Sequence, residues 1–172
     1  DPIARKNQEG NKLFQEEKFQ EALERYREAQ VEGRDLPELH FNTGNTLYKL
    51  RAYDKALQEF DRTLDSKDPS LLSDAYYSIG NAYFSQKSFQ EAVEAYKKSL
   101  DLRPDDPDAK IQLKRALDLA KKQEQNQQGQ QDQQGEQDQD GEQNPQGQQD
   151  EQGQQNQDPQ GQQDEQGQQN QD

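Results

Sequence analysis

Gly10, Gly44 and Gly80 stand 34 and 36 residues apart, and the same two intervals separate three further sets of residues. These are Phe19, Tyr53 and Phe89; Ala22, Ala56 and Ala92; and Tyr26, Phe60 and Tyr96. Four tracks in one register mean that the chain repeats a structural unit. A period of roughly 20 to 50 residues is the mark of a solenoid, in which each unit buries its apolar face only against its neighbours. The extra two residues of the second interval fall between Phe60 and Gly80, and the turn around Ser66 to Leu72 is where an insertion is expected to cost least.

The third unit, Ser73 to Pro104, shows what one repeat contains. Tyr76, Ile79 and Tyr83 fall on one stripe of a helix, while Gly80 and Ala92 are small enough for two helices to approach closely. Ser88 with Glu91 three residues later predicts a capping box at the start of a second helix. Tyr96 would then fill the seam between this pair and the next. Proline placement repeats the pattern. Asp1-Pro2, Leu36-Pro37, Asp68-Pro69 and Asp106-Pro107 each set a proline where a first helical turn tolerates it, and three of the four offer an aspartate cap. The order and spacing of these residues resemble the tetratricopeptide repeat (TPR), a pair of antiparallel helices. The expected fold is an all-α TPR solenoid with repeats at about 3–36, 37–70 and 73–106. A capping helix, 107–122, comes after them. It has Ala109, Leu113, Ala116, Leu117 and Ala120 on one stripe and Lys110, Lys114, Lys121 and Lys122 away from it. Isolated helices of ~12 to 15 residues are marginal in water, so the pairs depend on stacking.

The chain changes character after Lys122. Residues 123–172 contain no Lys or Arg and no residue of the AVILMFWYC set, and Asp150 to Asp158 returns unchanged as Asp164 to Asp172. Such a segment cannot offset the entropy of ordering, and a disordered, acidic, Gln-rich low-complexity tail is expected. It holds 12 of the 35 acidic residues, which leaves 23 against 21 Lys and Arg in residues 1–122. The repeat domain is therefore near neutral at −2, and most of the overall charge of −14 belongs to the tail.

Several classes of function lack their residues. There is no cysteine, so neither disulfides nor thiolate chemistry enter. No run of about 18 apolar residues could span a membrane. The one histidine, His40, falls where a large apolar residue opens the first helix of the second repeat, which makes its expected role packing. No nucleophile–base set, metal-ligand cluster or phosphate loop is present, so neither catalysis, a metal nor a cofactor is expected. A basic aromatic patch is missing too, and the acidic tail would repel nucleic acid.

What remains is protein binding. In a solenoid of this kind the first helices line a concave face, and one residue after each glycine stands an asparagine, giving Asn11, Asn45 and Asn81. Phe14, Tyr48 and Phe84 stand three residues later, and Phe41 and Tyr77 precede their glycines by three. Asparagine amides both donate to and accept from a peptide backbone, and aromatic rings supply side-chain pockets. These eight residues are the candidate peptide-binding site. The competing reading is that the asparagines bond neighbouring loops and the rings are half-buried packing. Among known TPR grooves, the dicarboxylate clamp of chaperone adaptors has asparagines where Asn11 and Asn42 stand. Its cations would fall at Asn7, Asp74 and Ser78, so the charge-assisted partners of a free carboxylate are missing.

The segments Phe41 to Leu50 (FNTGNTLYKL), Tyr77 to Phe84 (YSIGNAYF) and Leu100 to Ala109 (LDLRPDDPDA), with the Gln-rich run after them, resemble the TPR proteins of bacterial aerotolerance (Bat) operons. That resemblance implies a periplasmic, membrane-associated protein that works with von Willebrand A-type subunits in assembling an envelope complex. The chain opens at Asp1 without a methionine, which leads to the expectation that a processed or trimmed segment precedes it, a signal peptide or anchor being one form it could take. A cytosolic co-chaperone or adaptor is the first alternative. The second is a structural protein that self-associates through its tail.

Overall fold

The structure is a computed structural model and describes residues 1–32 and 35–139. Seven helices appear among them: α1 (Pro2–Gln15), α2 (Phe19–Glu32), α3 (Pro37–Lys49), α4 (Tyr53–Thr63), α5 (Pro69–Ser85), α6 (Phe89–Leu102) and α7 (Pro107–Gln139). They pair as α1/α2, α3/α4 and α5/α6, with α2 packed on α3 and α4 on α5, so the three expected repeats stack in chain order. The chain divides into two units, Asp1–Gln133 and Gln134–Asp172. The three repeats and α7 as far as Gln133 make up the first.

Proline and aspartate start the helices as the sequence implies. Asp1 and Asp68 accept from the amides of Ile3 and Ser70 at 3.0 and 2.9 Å, and Asp106 accepts from both Asp108 and Ala109 at 3.0 Å. Leu36 offers no side-chain cap to α3. The expected Ser88–Glu91 capping box is absent, because Ser88 makes no side-chain cap bond although α6 does begin at Phe89. The cause lies one turn earlier.

All three helix pairs are joined by the same backbone turn. Lys18, Ala52 and Ser88 donate their amides to Leu13, Leu47 and Tyr83, while Glu17, Arg51 and Lys87 donate to Phe14, Tyr48 and Phe84. This is the Schellman pattern, and it places Glu17, Arg51 and Lys87 at φ of 59, 60 and 63°. Residue 88 is therefore fixed by the end of α5 and not by a bond to the start of α6. Ala52 shows a closely similar φ and ψ with no side chain to offer.

The interior is built from one contact repeated three times. Tyr26, Phe60 and Tyr96 lie fully buried across their own pair with a ring edge on the glycine, and Ala22, Ala56 and Ala92 are wholly buried beside them. A Cβ on Gly10, Gly44 or Gly80 would meet the ring at 2.6, 2.6 and 2.5 Å. Leu23, Leu47, Ala56 and Phe60 form one cluster, which Ile79 of the third repeat joins; Ala92, Val93, Tyr96 and Ala116 form another, linking that repeat to α7. His40 is buried, as a packing role requires, and its ring nitrogens face the carboxylates of Asp35 and Glu59.

Three expectations are corrected. Of the stripe on α7, Ala109, Ala116 and Ala120 are buried and Leu113 half-buried, but Leu117 is 46% exposed, because no second helix covers that side among the described residues. The inserted residues add helix more than loop: Asp68 caps a helix whose first turn, Pro69 to Leu72, precedes the usual start, while the 64–68 linker is one residue longer than the 103–106 linker. Finally, the helix expected to end at Lys122 continues to Gln139. Glutamine and glutamate are good helix formers, no proline interrupts before Pro145, and Glu124 accepts a bond from Gln90 of α6. The rest of the expected disordered tail, from 140 on, lies outside the described residues.

A left-handed conformation costs an L-residue ~1–2 kcal/mol, part of which glycine returns through its greater freedom when unfolded. Lys87→Gly should accordingly raise the unfolding free energy by about 0.5–1 kcal/mol in urea titration. A loss of stability would show that the lysine side chain contributes more than its backbone strain removes.

Candidate functional site

The asparagines next to the glycines are positioned by the rings beneath them. Tyr26 donates its hydroxyl to Asn11 Oδ1 at 2.7 Å, and Tyr96 donates to Asn81 Oδ1 at 2.8 Å. Burial pushes the Tyr26 phenol from its ordinary 10.0 up to about 12 and the Tyr96 phenol in the same direction, so both remain protonated donors at neutral pH. In the second repeat the ring is Phe60, which has no hydroxyl, and Asn45 Oδ1 instead accepts from Ser78 of the next repeat at 3.3 Å. Every ladder carbonyl is thus engaged inside the protein. The Nδ2 groups of Asn11, Asn45 and Asn81 have no protein acceptor among the described residues.

Two hollows run along the first helices. The first, about 180 Å³, is lined by Asn11, Phe14, Gln15, Tyr26, Asn42 and Asn45. The second, about 250 Å³, is lined by Phe14, Asn45, Tyr48, Lys49, Tyr77, Ser78 and Asn81. Phe14 and Asn45 belong to both and separate one from the other. Six of the eight residues singled out from the sequence therefore meet on one face. Phe41 and Phe84 do not line the hollows. Phe41 packs 6.1 Å from Phe60, and Phe84 lies edge-on to Phe89 at 5.3 Å, as Phe14 does to Phe19.

The face also holds Asn42, which the sequence singles out only as a clamp position and not among the eight candidates. Asn42 donates to Asn7 at 2.9 Å and extends the amide row across the first two repeats. Its signal was its place two residues before a glycine, which Ser78 shares. Beyond the two hollows, Arg115 of α7 stands over the ring of Phe84 at 5.4 Å, contributed by a helix that lacks the glycine track altogether. At the three positions of a clamp's cations the structure has no free charge to offer a carboxylate. Asn7 is held by Asn42, Ser78 by Asn45, and Asp74 by Arg103 at 2.8 Å.

A protein of stacked antiparallel helix pairs is a helical-repeat solenoid by class. Two family models, both described as tetratricopeptide repeat, match residues 7–70 and 73–106, together more than half of the chain. The chain belongs to the tetratricopeptide repeat family. It is similar to the first TPR domain of Spaghetti (RPAP3) bound to the HSP90 peptide SRMEEVD, at 22% identity and a TM-score of 0.64 over 68% of this chain and 91% of that one. The first TPR domain of human RPAP3 gives 22% and 0.67 over 72% and 96%. The TPR2AB-domain:pHSP90 complex of yeast Sti1 gives 26% and 0.64 over 71% and 48%. No curated protein sequence matches the chain. Nothing in these comparisons points to aerotolerance operons or von Willebrand A-type subunits, and no described helix is long and apolar enough to cross a membrane.

Removing the acceptor of a buried hydroxyl costs ~1–3 kcal/mol. Asn81→Ala should lose stability of that order by orphaning Tyr96, Asn45→Ala clearly less, and Asn81→Ala combined with Tyr96→Phe should recover most of the loss. Equal costs for the two asparagines in chemical denaturation would show that the tyrosine bond is not what holds the ladder.

Proposed function

We propose that this chain is a non-catalytic adaptor whose first-helix face holds an extended segment of a partner protein. The observation that carries the reading is the row of three amide donors, each with its carbonyl already satisfied, along two adjoining hollows that aromatic rings help to line. A carboxamide Nδ2 fixed in this way suits a backbone carbonyl of the guest, while Phe14, Tyr48 and Tyr77 suit its alternate side chains. Similarity to TPR domains solved with HSP90 supports an adaptor of the co-chaperone kind over the envelope-assembly role that the Bat resemblance implies. Recognition here differs from a carboxylate clamp. Its cation positions hold Asn7, Asp74 and Ser78, so the guest is an internal stretch of chain and not a free C-terminus.

The second repeat gives the clean test, because Asn45 supports no tyrosine. A benzophenone side chain at position 49 captures the partner segment in cells, and the corresponding synthetic peptide is then titrated by calorimetry. Asn45→Ala should weaken it by the order of one hydrogen bond, about 0.5–1.5 kcal/mol, with helicity unchanged in circular dichroism. The peptide SRMEEVD forms the second arm. Amidating its C-terminus should change its affinity by less than about twofold, whereas a clamp would lose most of its binding. Unchanged affinity in Asn45→Ala would remove the first-helix face from the function.

A further inference from the structure

A larger groove lies on the other side of α5. It has a volume of about 720 Å³; Tyr76, Ile79 and Tyr83 make its floor, with Leu57 and Leu64 among the residues on the α4 side and Ala95 among those of α6. At 100° per residue these three floor residues project away from Ser78 and Asn81, so the groove is separate from the two hollows of the first-helix face.

Its origin is a difference between repeats. Counting back through the 36-residue interval, Tyr76, Ile79 and Tyr83 correspond to His40, Thr43 and Leu47, which are 4%, 1% and 4% exposed. The residues of the third repeat are only half-buried. The helix that would cover them is short. α2 and α6 each have 14 residues, but α4 has 11 and stops at Thr63, three residues before the point equivalent to the end of α2. The inserted residues then begin α5 early instead of restoring that turn. Apolar floor is left uncovered between the α4 and α6 walls.

We infer that this groove is a second docking surface, and that its occupant is an amphipathic helix of a partner protein with an apolar stripe and lysine or arginine beside it. Both walls are helices whose backbone groups are spent internally, so no edge exists for an extended strand to pair with, and affinity has to come from side chains seated at i, i+3, i+4 and i+7. The rim chooses the charge. Asp61 on one wall and Glu91 on the other have no ion-pair partner among the described residues, while Glu94 is paired with Lys97 at 2.8 Å and Lys98 stands over Tyr76 at 5.4 Å. A basic guest would complete Asp61 and Glu91 on both sides of the floor. The chain's own residues 123–172 are excluded as occupant, since they carry neither an apolar side chain nor a cation.

Two fluorescent synthetic peptides test this with the full chain. Both carry leucines at i, i+3, i+4 and i+7 in a helix-forming background, one flanked by lysines and the other by glutamates. The basic peptide should bind, weaken as salt is raised, and perturb amide signals of α4, α5 and α6 around Ile79 in NMR titration. The acidic peptide should bind at least about tenfold more weakly. Asp61→Lys with Glu91→Lys, both on exposed helix positions, should invert that preference while circular dichroism stays unchanged. Asn45→Ala should leave the basic peptide's affinity as it was, which keeps this surface distinguishable from the first-helix face. Absence of binding, perturbation of the Asn45 face instead, or a preference that survives the charge reversal would overturn the assignment. So would concentration-dependent perturbation of the groove without any peptide, which would make a second copy the occupant.

Discussion

A ring lying on a glycine holds each helix pair of this protein together. With only 2.5–2.6 Å between the ring and the place a Cβ would occupy, the two helices cannot be brought to the same distance with any other residue at positions 10, 44 and 80. The same ring then sets the neighbouring asparagine, because in the first and third repeats its hydroxyl reaches Oδ1 of the next residue. Packing and recognition are thus parts of one device. The core side of the contact closes the pair, and the other side leaves an amide donor with no protein acceptor among the described residues.

Much of this was legible in the chain. Four residue tracks at 34 and 36 residues predict stacked helix pairs, and the Asp-Pro steps place the starts of α1, α5 and α7. What escaped has physical reasons. The turns at Glu17, Arg51 and Lys87 adopt positive φ without glycine, so no residue type announces them. The tyrosine that binds Asn81 lies 15 residues further on, and only the closed pair brings them together. Phe41 and Phe84 share the spacing of groove residues, yet Phe41 packs on Phe60 and Phe84 lies under Arg115 of α7, a helix outside the glycine track. Helix α7 continues past Lys122 because glutamine permits a helix without predicting one, and period-based reasoning has nothing to count there.

The repeats are alike in their cores and unlike between them. His40 and Tyr76 occupy equivalent positions, but one is sealed between Asp35 and Glu59 while the other stays half-open beneath Lys98. Three residues missing from the end of α4 account for that contrast. A solenoid transmits such a change only to its neighbours, so the third repeat gains an open groove while the first two keep their packing. Two faces of α5 are therefore available at once: one offers amide donors and the other an apolar floor.

The ring-on-glycine contact itself is most directly tested by the cost of a methyl group measured in two backgrounds. With Tyr96 in place, Gly80→Ala should destabilise the chain by about 1–3 kcal/mol in urea unfolding, since the ring cannot yield without disturbing Ala92 and Val93. With Tyr96→Val, which removes the ring, the same substitution should cost nothing or even stabilise the helix, alanine being the better helix former by about 1 kcal/mol. An equal cost in both backgrounds would contradict the claim that the ring is what requires the glycine.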